Sequence, residues 1–398
     1  MNSRANRVLC VFSRHQRGGR TKRLYMVVNA LLRRGYEVHY IAAEPLRLEH
    51  SNAALHAHLL PFSTAKTGVV FWIAFTLLSP LYVLRYCITH RIAAILVFDT
   101  YYALISAIGG WLSWTPIVLF MHTIPWRVRR ILRRSAIRAQ LGYIVNYLGF
   151  QCASRVVSAT TAMQEELCEK IPSLKKRVVT IPGSVIYPTQ LSVDEGTRVP
   201  ADQWARWLNN FSTRKRTLTT EYGLNDRGVL LVTCGELSKR KNVEHVIRAI
   251  GASGNEKLSL VVCGDGSERG RVRSLIIGYG LTTQVALTGW LEDPSPVITG
   301  SDVLVVSSRH EGVSHVMLEA LGAGAAVIAA DTPEMREVLQ FDELLFDPQN
   351  VEQLSQKLTA IVSKKGELER LKDLSHERAR HLSFDWGQSV VSLLEEVL

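Results

Sequence analysis

Short apolar runs alternate with longer helical patterns, the rhythm recurs in both halves of the chain, and a polar proline-bearing stretch separates the halves. Together these predict an α/β protein of two Rossmann-like domains facing across a cleft. At 398 residues the chain is long enough for two domains, each with its own core. An apolar share of 47% excludes a disordered chain.

In the first half, RVLCVFS (7–13) reads as a strand, RHQRGGR as a loop and TKRLYMVVNALLRRG as a helix; EVHYIAA (37–43) follows as the second strand. IAAILVFD (92–99) and PIVLFMH (116–122) repeat the pattern, each after a helix. In the second half, GVLLVTCGE (228–236), LSLVVCGDG (258–266), DVLVVSS (302–308) and AAVIAAD (325–331) are the strands. Strands of this length alternating with helices imply parallel sheets, whose ligands bind at the carboxyl ends of the strands. The expected division is a first domain over 1–185, a linker with an insertion over 186–222, and a second domain over 223–382. The linker is placed by its polarity, Pro188, Pro200 and the basic cluster at 214–216.

The formal charge of +11 points to an anionic partner: a membrane surface, a phosphorylated ligand or nucleic acid. The six cysteines, Cys10, Cys87, Cys152, Cys168, Cys234 and Cys263, form no CxxC or Cys/His cluster; four lie inside or beside apolar runs and read as small buried hydrophobes of a reducing compartment. The apolar stretch in MNSRANRVLCVF is too short for a secretory signal.

The stretch EGVSHVMLEALGAG (311–324) places Glu311 and Glu319 eight positions apart between two apolar runs. A helix starting near Ser314 would leave its first amides unpartnered, an anion site that the helix dipole supports. Glu319, more than a turn further in, would project sideways, and Glu311 would sit at the mouth of the cleft. Spacing alone leaves two readings open: a nucleotide site, or a helix with an acid at its start and one solvated acid.

The run from EGVSHVMLEALGAG through AAVIAADTPEMREVL is similar to the signature of the family four retaining glycosyltransferases of GT-B fold, where two glutamates frame an E-G-x-x-x-x-x-x-E run. The resemblance extends in order along the chain. GELSKRKNVEHVIRAI (235–250) resembles the family's phosphate loop, and VVCGDGSERGRV (261–272) resembles the next strand and its glycine turn. SFDWGQSVVSLL resembles the terminal helix that crosses back to the first domain, placed at 383–398. The first half matches more thinly, at Gly18 and Gly19 after the first strand and at His122 after PIVLFMH.

Carried over residue by residue, the resemblance implies catalytic roles for Glu311 on the donor sugar, His122 on that sugar from the first domain, and Lys241 on the diphosphate. It implies nucleotide-sugar binding by Glu319 at the ribose, by Gly18, Gly19 and Gly235, and by the amides of Gly312, Val313, Ser314, His315 and Val316. Without it, a lone strand-end histidine such as His122 reads as a core or rim residue. Asp99 matches no catalytic position and reads as structural or acceptor-facing, and the GDG turn (264–266) is explained by turn geometry.

The sequence departs from the family at Glu236, which stands where an arginine often follows the loop glycine; Lys239, Arg240 or Arg17 are the candidate replacements. It departs again in IPGSVIYP (181–188), where the family usually shows I-P-N-G-V-D. The absence of a DxD motif argues against a metal-dependent transferase of the other fold type, so neither metal nor cofactor is expected. The chain also lacks a GxxxxGK[ST] loop and a first-strand GxGxxG.

Six arginines between Arg127 and Arg138 interleave with Trp126, Val128, Ile131, Leu132 and Ile137, a pattern suited to an anionic membrane surface. A solvated basic face is the alternative. Nucleic acid is not expected, since no base-stacking module accompanies the charge. The uncharged segment Thr67–Leu84 is eighteen residues long, the lower edge for a spanning helix. Spanning would put two strands of one sheet on opposite sides of the bilayer. A helix with one face dipped into the membrane is expected instead, plain burial and a true span being the other readings.

The expectation is a GT-B glycosyltransferase moving a sugar from a UDP-, GDP- or ADP-sugar to a lipid-linked or glycolipid acceptor in surface polysaccharide biosynthesis. It would sit on the cytoplasmic face of the inner membrane. A sugar-nucleotide epimerase of the same build, and an inactive nucleotide-binding subunit, are the alternatives.

Overall fold

A computed structural model describes residues 6–13, 19–45, 53–61, 68–127, 136–186, 211–225 and 228–398. The chain divides into two compact units, Met1–Pro182 with Asp385–Leu398, and Gly183–Phe384.

The first unit runs β1 (Arg7–Val11), α1 (Gly19–Arg33), β2 (Glu37–Ala42), β3 (Leu55–Leu59), α2 (Val69–Thr89), β4 (Ala94–Val97), α3 (Thr100–Ser113), β5 (Ile117–Phe120), α4 (Ala136–Cys152), β6 (Arg155–Ser158), α5 (Thr161–Lys170) and β7 (Val178–Thr180). Its seven strands are parallel in the order β3-β2-β1-β4-β5-β6-β7. The central strands are apolar throughout because helices cover both faces. Helix α1 buries Leu24, Val27, Val28 and Leu31, the i, i+3, i+4, i+7 stripe of a helix packed on one side.

The last helix, α14 (Trp386–Val397), belongs to this unit. Asp385 caps it by accepting from the Gln388 amide at 2.9 Å and also bonds Arg34 of α1 at 3.0 Å. Gly387 is required by the close approach, since a Cβ there would lie 2.7 Å from that of Ala30.

The second unit holds α6 (Phe211–Glu221), β8 (Val229–Cys234), α7 (Val243–Ser253), β9 (Leu258–Cys263), α8 (Arg269–Gly278), β10 (Val285–Gly289), α9 (Ser295–Thr299), β11 (Val303–Val306), α10 (His315–Gly322), β12 (Ala326–Ala330), α11 (Pro333–Leu339), β13 (Leu345–Phe346), α12 (Val351–Ser363) and α13 (Glu367–His381). Six strands run parallel in the order β10-β9-β8-β11-β12-β13. The order reverses between β8 and β11. That is the topological switch point, where the loops leaving neighbouring strands diverge and open a crevice.

Residues 211–221, expected in the linker, form α6 of the second unit. Lys215 there bonds the buried Asp302 carboxylate, which also accepts from the Leu230 amide at 2.8 Å. Asp99 caps α3, accepting from the Tyr101 amide at 3.0 Å, which gives it a structural task.

Helix α2 buries only Phe71, Phe75, Ser79, Val83 and Cys87, one residue per turn. Val69, Val70, Ile73, Leu77, Leu78, Leu81 and Ile88 are exposed, Leu77 at 67% and Leu81 at 61%. Plain burial, one of the readings of 67–84, is therefore excluded for most of this helix. Trp111 and Trp114 at the end of α3 are also exposed, as are Leu141, Ile144 and Leu148 of α4. In the basic segment, Trp126 donates to Glu166 at 2.5 Å and Arg127 pairs with the same carboxylate. Arg129, Arg130, Arg133 and Arg134 lie outside the described residues, and Arg138 falls within α4.

Candidate functional site

The loop leaving β8 is shaped by backbone contacts only glycine permits. Gly235 has φ +139, and a Cβ on Gly264 would lie 1.9 Å from the Gly235 carbonyl oxygen. A Cβ on Gly266 would similarly meet the Leu237 carbonyl at 2.5 Å. The GDG turn therefore does more than reverse the chain: it lets the loops after β8 and β9 lie against each other. The Gly235 amide donates to the Cys263 carbonyl and the Leu237 amide to the Asp265 carbonyl, both at 2.9 Å.

From there the loop closes a turn, the Lys241 amide donating to the Ser238 carbonyl at 3.0 Å, and α7 begins. The loop after β11 runs alongside it. Ser307 donates its hydroxyl to the Lys241 carbonyl at 2.8 Å, and the Arg309 amide donates to the Arg240 carbonyl at 2.9 Å. Arg309 also reaches the Asn242 side chain at 3.1 Å. The two loops at the switch point are thus held as one piece, although 70 positions separate Lys241 from Glu311.

Glu311 sits between two cations. The Lys241 ammonium bonds one carboxylate oxygen and the Arg240 guanidinium lies 3.2 Å from the other. Ser308 donates its hydroxyl at 3.0 Å. Burial by itself would raise the carboxyl pKa, but the two cations and these hydrogen bonds outweigh it and hold it at about 2. The triad carries a net charge of +1. A mostly buried ion pair is weak evidence for stability, because desolvation offsets much of the attraction. Two cations fixed in advance at a crevice are better suited to receiving a polyanion. Arg240 occupies this position beside Lys241, whereas Glu236 is exposed, and of the three replacement candidates Arg17 lies outside the described residues.

Ser314 is the N-cap residue of α10, without a side-chain cap bond. Gly235, Lys241, Ser314 and Val316 line one cavity together with Thr233, Ser307 and Ser308. Gly312, Val313 and His315 are buried in the same loop and helix but do not line it. Glu319 is 3% exposed on α10 and does not line it either. The small residues after Glu319 have a packing cause: a Cβ on Gly322 would lie 2.2 Å from the Ile186 carbonyl oxygen. The segment at 183–186, the second departure from the family pattern, runs along α10, the Ile186 amide donating to the Leu318 carbonyl at 3.3 Å.

In the first unit, His122 follows β5 at the carboxyl edge of the sheet and stacks on Phe98 with centroids 6.2 Å apart. Gly19 opens α1; Gly18 lies outside the described residues. The sequence reading missed Arg23. Buried on α1, its guanidinium lies 5.5 Å from the Trp386 ring centroid and donates to the Met121 carbonyl, next to His122, at 3.4 Å. Burial lowers its pKa to about 10. The available signal was its place beside the apolar stripe of α1.

Two family models match the chain, Glycosyltransferase Family 4 over residues 17–185 and Glycosyl transferases group 1 over residues 215–378. Among curated relatives, the O-antigen biosynthesis glycosyltransferase WclY of Escherichia coli is 28% identical over 146 residues, 37% of this chain and 41% of that protein. The lipopolysaccharide core biosynthesis glycosyltransferase LpsE of Rhizobium meliloti is 26% identical over 211 residues, 48% of this chain and 62% of that protein. The chain thus spans less than two thirds of the length of either. Among solved structures, Anabaena Alr3699/HepE in complex with UDP and glucose superposes with a TM-score of 0.73 at 15% identity, covering 98% of this chain and 99% of that one. WaaG, a glycosyltransferase involved in lipopolysaccharide biosynthesis, gives a TM-score of 0.71 at 15% identity, covering 98% of each chain. At such identities the likeness establishes the fold.

Proposed function

The chain belongs to the glycosyl transferases of group 1, family 4, and from that membership we propose that it transfers a sugar from a nucleoside diphosphate donor to a lipid-linked or glycolipid acceptor, with retention at the anomeric carbon. The observation that carries the reading is the pair of cations, Lys241 and Arg240, fixed on Glu311 at the switch point of the second sheet.

In the reaction the bond between the anomeric carbon and the diphosphate breaks, and the acceptor oxygen bonds that carbon. The acceptor proton passes to a phosphate oxygen, so the products are a glycoside and a nucleoside diphosphate. Charge grows on the leaving phosphate as the bond breaks. Lys241, Arg240 and the amides from Gly312 to Val316 stabilise it, and fixed donors of this kind need no reorganisation at the moment of reaction. Glu311 holds hydroxyls of the donor sugar and Glu319 the ribose; His122 is the candidate sugar contact that the family resemblance implies.

The acceptor reading draws on the first unit. The exposed apolar side chains of α2, α3 and α4 suit a surface lying in the headgroup region of an anionic membrane, and the sequence of 123–150 adds six arginines. We place the protein on the cytoplasmic face of the inner membrane, peripheral or monotopic, in surface polysaccharide biosynthesis. The WclY and LpsE names support that pathway class, and the HepE complexes make UDP-sugars the first donors to try.

The test is nucleoside diphosphate release from UDP-, GDP- and ADP-sugars, with and without bacterial lipid extract. Release from one donor that requires lipid supports the proposal. Interconversion of the donor sugar without release of diphosphate would replace it with epimerisation.

A further inference from the structure

One face of the first sheet is unexpectedly polar. Arg7 of β1, Glu37 and His39 of β2, and His56 and His58 of β3 occupy it in register: Arg7 pairs with Glu37, His39 with His56, and alternate positions share a face. Parallel sheets ordinarily carry apolar side chains here. The C-terminal end of α2 covers this patch, bringing His90 and Tyr86 onto it. The His90 ring centroid lies 4.6 Å from that of His39 and 5.0 Å from that of His58, and Tyr86 stacks on His58 at 4.0 Å.

We propose that His39, His58 and His90 bind one divalent transition-metal ion of the zinc class, which clamps the end of α2 to the edge of the sheet. One ring nitrogen from each residue lies within 4.8 Å of the others. A tetrahedral site with metal–nitrogen bonds of about 2.0 Å needs about 3.3 Å between nitrogens, so His39 Nδ1 and His58 Nε2, 2.9 Å apart, open slightly while the His90 ring closes in by at most about 1.5 Å. Three imidazoles with a fourth position left for water suit zinc, cobalt or nickel.

The hydrogen bonds prepare His39 as a ligand. Arg7 donates to one Glu37 oxygen at 2.6 Å, and His39 Nε2 lies 3.1 Å from the other. A carboxylate only accepts, so Nε2 carries the proton and the neutral ring keeps its lone pair on Nδ1, 2.9 Å from His58 Nε2. On coordination His58 shifts its proton from Nε2 to Nδ1, with no net release. The site lies in the first unit and does not depend on the transfer reaction.

The test uses the full chain without an affinity tag, stripped by chelator and titrated with Co2+ alone. The expected result is one equivalent bound, with the intense visible d–d absorption of a four-coordinate ion, displaced by Zn2+. His58→Ala and His90→Ala abolish that absorption and His56→Ala keeps it, while Glu37→Gln weakens affinity about 10- to 100-fold. Circular dichroism checks each variant's fold, and Zn2+ raises the wild-type Tm but not that of His90→Gln. No saturable cobalt spectrum in the wild-type chain, or an undiminished one in the folded His58→Ala/His90→Ala double variant, overturns the proposal.

Discussion

Lys241, in the loop after β8, and Glu311, in the loop after β11, meet as an ion pair where the strand order of the second sheet reverses. Arg240 takes the other carboxylate oxygen. The pair locks two loops together and keeps two positive charges where a diphosphate would arrive.

The same contact sets a pH dependence. The folded Glu311 carboxyl, at about 2, lies below its ordinary value of 4.5. Its stabilisation is therefore complete above about pH 4.5 and is lost as pH falls through about 2, with a ceiling of about 3 kcal/mol. Urea denaturation of wild type and Glu311→Gln should differ most near neutral pH and converge toward pH 2. A constant gap over that range would mean that the carboxylate charge is not what the cations hold.

Glu319→Ala should raise the donor KM about 10- to 100-fold while leaving kcat within a few-fold, as expected for a hydrogen bond made equally in the ground and transition states. Steady-state diphosphate release over a range of donor concentrations separates the two parameters. A fall in kcat at unchanged KM would move Glu319 from the nucleotide to the reacting centre.

Gly322→Ala tests the packing of the glutamate helix. The added methyl must displace the Ile186 carbonyl oxygen, 2.2 Å away, at a cost of about 1–3 kcal/mol. Thermal or urea unfolding should show the loss. Gly35→Ala is unsuitable as a control because of its φ of +79; Gly270→Ala, with open space around the Cβ, should change little.

Leu77→Glu combined with Leu81→Glu should weaken binding to anionic vesicles at least 10-fold, since each leucine that leaves water contributes about 1.5–3 kcal/mol. Both residues point outward, so the melting temperature in solution should hold. Vesicle co-sedimentation reads the first effect and calorimetry the second. Unchanged vesicle binding would remove α2 from the membrane surface.

The strands that frame the site were legible because VLLVTC, LSLVVC, VLVV and AVIAA are buried on both faces and read as unbroken apolar runs. LHAHL was not, since β3 is an edge strand with histidines on one face, and β13 has only two residues. The basic run of α6 reads as linker in the sequence because its partner, Asp302, lies 87 positions away. The glutamates and Lys241 could be found in the sequence, but Arg240 was one of three candidates until the backbone pairing of two loops placed it on Glu311. The glycines at 264 and 322 looked like turn and small-residue signals. Their cause is a neighbouring carbonyl from a distant segment, which no local pattern carries.

The most direct test of the cation site is the turnover of Lys241→Ala, measured as nucleoside diphosphate release at saturating donor and lipid acceptor. Arg240 still pairs Glu311 in this variant, so the fold should survive, as circular dichroism would verify. The expected kcat is about 100- to 1,000-fold below wild type, the cost of removing a charge from the leaving phosphate. A folded Lys241→Ala protein with wild-type kcat would contradict it.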